Sequence, residues 1–162
     1  MSIDEFWKLI DDAHHQSGGC MDTKADLLAA ALQKLSTAEV RDFDRHFDDL
    51  MRQSHDARLW AAAYVIQSGC GCDGFMDFRQ ALISLGRKRF EEALKNPDSL
   101  ADLSETDVEA LYTEMWGNFI GDLTEYDLST YVPPPYVHET LGKGVSDDQL
   151  ETEFPRLTAR FR

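Results

Sequence analysis

Apolar residues recur at steps of three and four along most of this chain, and nothing alternates with period two for long enough to make a strand. Ile3, Phe6, Trp7, Ile10 and Ala13 trace the inward stripe of a first helix, with acids on its other face, and Ser17-Gly18-Gly19 breaks it. A second helix is predicted from about Thr23, with Leu27, Leu28, Ala31, Leu32 and Leu35 inward. Ser36-Thr37-Ala38-Glu39 reads as a capping box, in which serine and glutamate satisfy each other's backbone donors. The helix it opens carries Val40, Phe43, Phe47, Leu50 and Met51 on one stripe, and Asp42, Asp44, Asp48 and Asp49 lie mainly outside it. Asp56 is the expected cap of a fourth helix, the most apolar one, in which Trp60, Ala63, Tyr64 and Ile66 stand among small alanines suited to a central position.

The break from Ser68 to Gly74 holds Cys70, Gly71, Cys72 and Asp73. A fifth helix follows with Phe75, Phe78, Leu82, Ile83 and Leu85 apolar; Gly86 interrupts it, and a sixth segment runs through Phe90, Ala93 and Leu94 to a stop at Asn96-Pro97. Ser104-Glu105-Thr106-Asp107 resembles another helix start, with Val108, Leu111, Tyr112, Met115 and Trp116 as its stripe. Between Gly117 and Lys143 periodicity fades, and the prolines of Tyr131-Val132-Pro133-Pro134-Pro135-Tyr136-Val137 demand an extended backbone. Ser146-Asp147-Asp148-Gln149 gives a last capping box, opening a short helix that ends near Pro155. The expectation is an all-α fold: a single helical domain over 1–162, about six to eight helices, with an extended proline-containing C-terminal segment.

Composition sharpens this picture. The chain is 162 residues long and 43% hydrophobic, enough for one sizeable core. Sixteen Lys and Arg against thirty Asp and Glu leave a formal charge of −14. A field of that sign repels phosphate backbones and anionic membrane surfaces, and the longest basic cluster, Arg87-Lys88-Arg89, does not make a groove, so nucleic acid and membrane are excluded as partners. The N-terminus is acidic where a secretory signal would be basic and then apolar, and no apolar run approaches the ~20 residues of a membrane span. Cys20, Cys70 and Cys72 are an odd number in a chain large enough to need no staples, so reduced thiols and a cytoplasmic location are expected.

Several segments resemble a known family. They are Phe6-Trp7-Lys8-Leu9-Ile10-Asp11-Asp12-Ala13, Trp60-Ala61-Ala62-Ala63-Tyr64-Val65-Ile66, Gly69-Cys70, Asp73-Gly74-Phe75-Met76-Asp77-Phe78-Arg79, Leu82-Ile83-Ser84-Leu85-Gly86 and Asn96-Pro97-Asp98-Ser99-Leu100. Together, over roughly residues 3–120, they are similar to the bacterial domain-of-unknown-function family 4240, leaving about 121–162 as a C-terminal wrap. Gly71-Cys72 departs from the family pattern, which has a serine and an acid there. The resemblance implies a compact intracellular domain, and no reaction, substrate or catalytic residue.

The segment from Asp73 to Arg79 is the strongest candidate for a site. On a helix, Asp73 and Asp77 share a side at i, i+4, where paired carboxylates suit a divalent cation or acid–base work, and Arg79 can clamp a carboxylate or phosphate. The competing reading makes Asp73 a helix cap and Arg79 a structural ion-pair partner. Cys70 and Cys72, joined by Cys20 and the His14-His15 pair, have the atoms for a soft metal site, but zinc prefers a two-residue spacer, and small apolar fillers in a turn explain the cysteines as well. No metal and no cofactor is assigned. His46 is expected to be solvated, and no zinc-protease spacing, nucleophile elbow or phosphate loop is present. Tyr126, Tyr131 and Tyr136 flank the proline run, either as pocket or partner contacts or buried beneath it.

Two functional readings survive. The first is a non-enzymatic protein-interaction module that recognises a basic partner, its charge concentrated around Asp42–Asp49 and Asp102–Asp107. The second is a small enzyme or ligand-binding domain with a pocket formed by Trp60, Tyr64, Asp73, Asp77 and Arg79.

Overall fold

Ser2 and Glu5 exchange hydrogen bonds across the first turn of α1 (Ile3–Ser17), and Gly18, in the left-handed region, ends it. Short helices then follow in a computed structural model that describes residues 1–112 and 140–162: α2 (Met21–Leu32), α3 (Thr37–Gln53), α4 (Ala57–Gln67), α5 (Cys72–Ser84) and α6 (Arg87–Lys95). A 3-10 turn over Pro97–Asp102 leads into α7 (Glu105–Ala110), and after residue 140 a 3-10 turn, α8 (Leu150–Glu153) and α9 (Pro155–Phe161) complete the chain. Among the described residues there is no strand, and the all-α architecture expected from the sequence is present. None of these helices is long and apolar enough to cross a membrane. The proline run, Met115, Trp116, His138 and Tyr126, Tyr131 and Tyr136 lie outside the described residues.

One connected core gathers side chains from both ends of the chain. Phe6 meets Phe43 at 4.6 Å between ring centres, Trp7 meets Phe90 at 5.4 Å, and Phe154 and Leu157 of the C-terminal arm are fully buried in the same cluster. Local caps form where the sequence places them: Ser36 with Glu39 on α3, Asp56 on α4 and Ser104 on α7. Two further helix starts are capped by residues far along the chain. Asp11 of α1 accepts the Arg87 N–H at 2.9 Å, closing the first turn of α6. Gly86 there holds φ +97°, and a β-carbon on it would lie 2.3 Å from the Asp11 carboxylate, so only glycine lets the cap approach. Asp98, 6% exposed, accepts from Arg156 N at 3.1 Å and Leu157 N at 2.9 Å and so caps α9.

The structure departs from the expected pattern in places. In α2 the buried residues are Met21, Lys24, Leu28 and Leu32, whereas Leu27, Ala31 and Leu35 are only half-buried, a rotation that drives a lysine inside. The short helix expected after the Ser146 capping box ends at Glu153, just before Pro155, but Pro155 then opens a further helix, α9, at whose first turn a missing N–H costs nothing. His46 is half-buried, its Nε2 3.1 Å from the Met1 carbonyl and its ring 5.9 Å from Phe6.

Lys24 is the most unusual core residue. Its side chain is fully buried, with Nζ donating a hydrogen bond to Ser84 Oγ at 3.2 Å and lying 3.5 Å from Met21 Sδ. Burial lowers its pKa from the ordinary 10.5 to about 8, against smaller opposing effects of Asp107 and Cys20. The unfolded chain therefore binds a proton between pH 10.5 and 8 that the folded chain lacks, so stability from this site is lost as pH falls through that window and stays lost below it. Lys24→Met is expected to stabilise the protein by roughly 3 kcal/mol at pH 7, shrinking toward zero near pH 10.5. Urea unfolding of both proteins across pH 7–10.5 checks this; a difference that does not vary with pH refutes it.

Candidate binding groove

Phe75, in the first turns of α5, is where the candidate residues meet. The Trp60 indole of α4 stacks on its ring at 4.8 Å and 8° between planes, and donates Nε1–H to the Cys70 carbonyl at 2.8 Å. The Arg79 guanidinium lies 4.9 Å from the same ring centre. Arg79 is 2% exposed, with Nε donating to the Phe75 carbonyl at 3.2 Å and an NH group donating to the Met51 carbonyl at 2.5 Å. It thereby ties α5 to the last turn of α3.

The acids sit elsewhere. Gly71, not Asp73, occupies the N-cap position of α5, and Asp73 is exposed in the first turn, where its charge suits the helix dipole. Asp77 is half-buried beside Cys70. Burial, aided by the Asp77 charge, pushes the Cys70 thiol up to about 11, which keeps it protonated and makes it a poor ligand and nucleophile at neutral pH. Cys20 and Cys72 are exposed free thiols. His14 Nε2 faces Asp107 Oδ1 at 3.6 Å, and burial followed by the nearby Lys24 charge lowers its pKa. Among the described residues no group of three or more His, Cys, Asp or Glu is placed to hold a metal ion.

Trp60 and Tyr64 share a different feature. Both lie on the outward side of α4, where Trp60 is half-buried and Tyr64 is 41% exposed, so the apolar stripe of this helix is only partly inward. Leu59, Ala62, Ala63, Val65 and Ile66 supply the buried face instead. Residues 140–150 run beside the outward side: Leu141 donates its N–H to the His55 carbonyl at 2.7 Å and accepts from Ala57 N–H at 2.8 Å. Between α4 and this arm lies an open groove of about 420 Å³. Trp60, Tyr64, Val145 and Leu150 give it apolar walls, Ala57, Ala61 and Gly144 leave it room, and Asp147 is the charged group among its described lining residues.

The structure thus brings Trp60 to Phe75 and Arg79 on its inner side and to Tyr64 along the groove, while Asp73, Asp77 and Arg79 are not among the groove's described lining residues. Sequence reasoning missed Val145, Asp147 and Leu150 as groove residues. The capping box at Ser146 marked a helix start there but not what it would pack beside. If Arg79 is a structural tie, Arg79→Met should lower the unfolding free energy by about 2 kcal/mol, because buried carbonyls lose their donor. Chemical denaturation measures it, and a stability equal to that of the parent chain would contradict the assignment.

No curated protein and no solved structure matches the chain. A family model does: it spans residues 1–123, which contain Phe75, Arg79, Trp60, Tyr64 and both long-range capping aspartates, Asp11 and Asp98. The chain belongs to this family, described as "Protein of unknown function (DUF4240)".

Proposed function

We propose that the protein is a non-enzymatic interaction module that recognises a basic partner protein. The observation that carries this reading is the disposition of charge. Arg45, Arg52, Arg58, Arg87, Arg156 and Arg160 each sit in an ion pair with one of the chain's own acids, and Lys24 and Arg79 are buried. These cations are thus engaged within the fold, the chain carries a net charge of −14, and among the described residues acids such as Asp22, Asp73, Asp148 and Glu151 are exposed. Such a field accelerates encounter with a cationic surface and disfavours acidic competitors.

The fold already uses this chemistry internally. Helix α9 carries Arg156 and Arg160, and it docks on the acidic stretch 98–105: Arg156 pairs with Asp102, Arg160 with Glu105 at 2.5 Å, and Arg160 also donates to the Ala101 and Leu103 carbonyls. This occupies much of the Asp102–Asp107 patch, and Asp107 faces His14. Part of the α3 patch is likewise engaged, since Asp42 pairs with Arg45 and the N-terminal amine and Asp49 pairs with Arg52. Both patches that stand out in the sequence are therefore partly neutralised by the chain itself, which leaves other carboxylates as the better docking surface.

Cross-linking of the purified chain in a cell extract at low and at high salt tests the reading. The expected result is a captured protein of basic isoelectric point that high salt releases. A partner that is neutral or acidic, or whose capture ignores salt, would overturn it.

A further inference from the structure

Resting on that reading, we propose that the groove along α4 is where the basic partner docks, by inserting an arginine-bearing segment whose guanidinium lies against Tyr64 and Trp60 and pairs with Asp147. Three observations converge on this occupant. First, the groove walls are the right kind. Tyr64, 41% exposed, lines the groove together with the half-buried Trp60 indole, and aromatic faces attract guanidinium ions through their quadrupole. Val145 and Leu150 line the same groove and suit the methylene stem of the side chain, while Ala57, Ala61 and Gly144 leave it room.

Second, the charge that lines the groove among the described residues is negative, with the exposed Lys143 next to Gly144 in the chain. The charged lining residue is a carboxylate, Asp147, and its chain neighbours Asp148 and Glu151 are exposed acids. A guanidinium already visits this carboxylate: Arg162 lies 3.7 Å from Asp147 Oδ1, in an exposed pair too long for a good hydrogen bond. An incoming arginine can replace that contact with a closer, bidentate one. Third, the same recognition is built once beside the groove. The Arg58 guanidinium lies 5.6 Å from the Phe154 ring centre and 2.6 Å from Glu153, an aromatic face and a carboxylate sharing one cation.

The test uses the full chain and a short arginine-rich peptide as probe, with affinity measured by calorimetry at low and high salt. Variants are Tyr64→Ala, Asp147→Asn and, as a control of equal charge change on α2, Asp22→Asn. Tyr64 and Asp147 are exposed, so circular dichroism should show the fold retained in each. Tyr64→Ala is expected to weaken binding by about tenfold and Asp147→Asn by severalfold, while Asp22→Asn changes it by less than about twofold. If peptide binds but all three variants behave alike, attraction is diffuse: the groove inference falls and the basic-partner reading stands. If the parent chain does not bind the peptide at low salt, both fall.

Two other occupants have their own signatures. A parent chain that sediments as a dimer, and becomes monomeric with Tyr64→Ala, would make the groove a self-interface. A Tyr64→Ala variant that melts several degrees lower, with unchanged peptide affinity, would mean that the chain's own residues fill the groove. Either result overturns the proposal.

Discussion

The contact on which the groove depends is the stack around Phe75. A benzyl ring in the first turns of α5 is met by the Trp60 indole from α4 and by the Arg79 guanidinium from one turn further along its own helix. Arg79 is held in turn by the Met51 carbonyl at the end of α3, so three helices are registered through one ring. Aromatic stacking and cation–π attraction contribute only modestly each, but inside a dry core they are directional, and a buried guanidinium admits few alternative placements. The outward consequence is that Trp60 presents its remaining surface at one fixed angle. Tyr64, one turn along α4, then stands beside it to form a wall.

What the sequence revealed is what is local. Ser36 with Glu39, Asp56 and Ser104 announce helix starts because both halves of each cap lie within four residues, and all of them form. The apolar stripes of α1 and α3 follow directly from the 3.6-residue period. The caps supplied by Asp11 and Asp98 could not be read this way, since each carboxylate is separated from the N–H it accepts by more than fifty residues. Gly86 reads in the sequence as a helix break and Asp98 as part of a family-like stretch, and neither carries a label for its partner across the fold. In the fold both are explained by helix ends.

The burial of Lys24 and Arg79 was illegible for a related reason. Hydrophobic periodicity assigns long cations to the outside by default, and both helices override it. In α5, a guanidinium at position 79 reaches a carbonyl at the close of α3, an acceptor that exists only once the helices have packed. In α2, the face containing Lys24 turns inward because Met21, Leu28 and Leu32 share it, which leaves Leu27 and Leu35 at the edge. These two inward cations also bear on the surface field. Every cation withdrawn into the core leaves one more acid uncompensated outside, so core packing and surface charge are not independent in this chain.

The family span and the groove do not coincide, and this bears on where specificity resides. Residues 1–123 contain α4 and its aromatic wall, but Gly144, Val145, Asp147 and Leu150 lie beyond that span. The arm that brings them is not a loose appendage. Phe154 and Leu157 are fully buried in the common core, Asp98 caps α9, and Leu141 is bonded on both sides to the start of α4. Its position is set from within the family span by the Asp98 carboxylate and from outside it by the arm's own apolar residues. The aromatic wall on α4 therefore lies within the family span and is paired in this chain with a second wall that lies outside it. In this chain that second wall combines Val145 and Leu150 with Asp147, and Asp148 and Glu151 follow in the chain as exposed acids. The cation proposed as occupant would therefore meet an aromatic wall on one side and a carboxylate on the other.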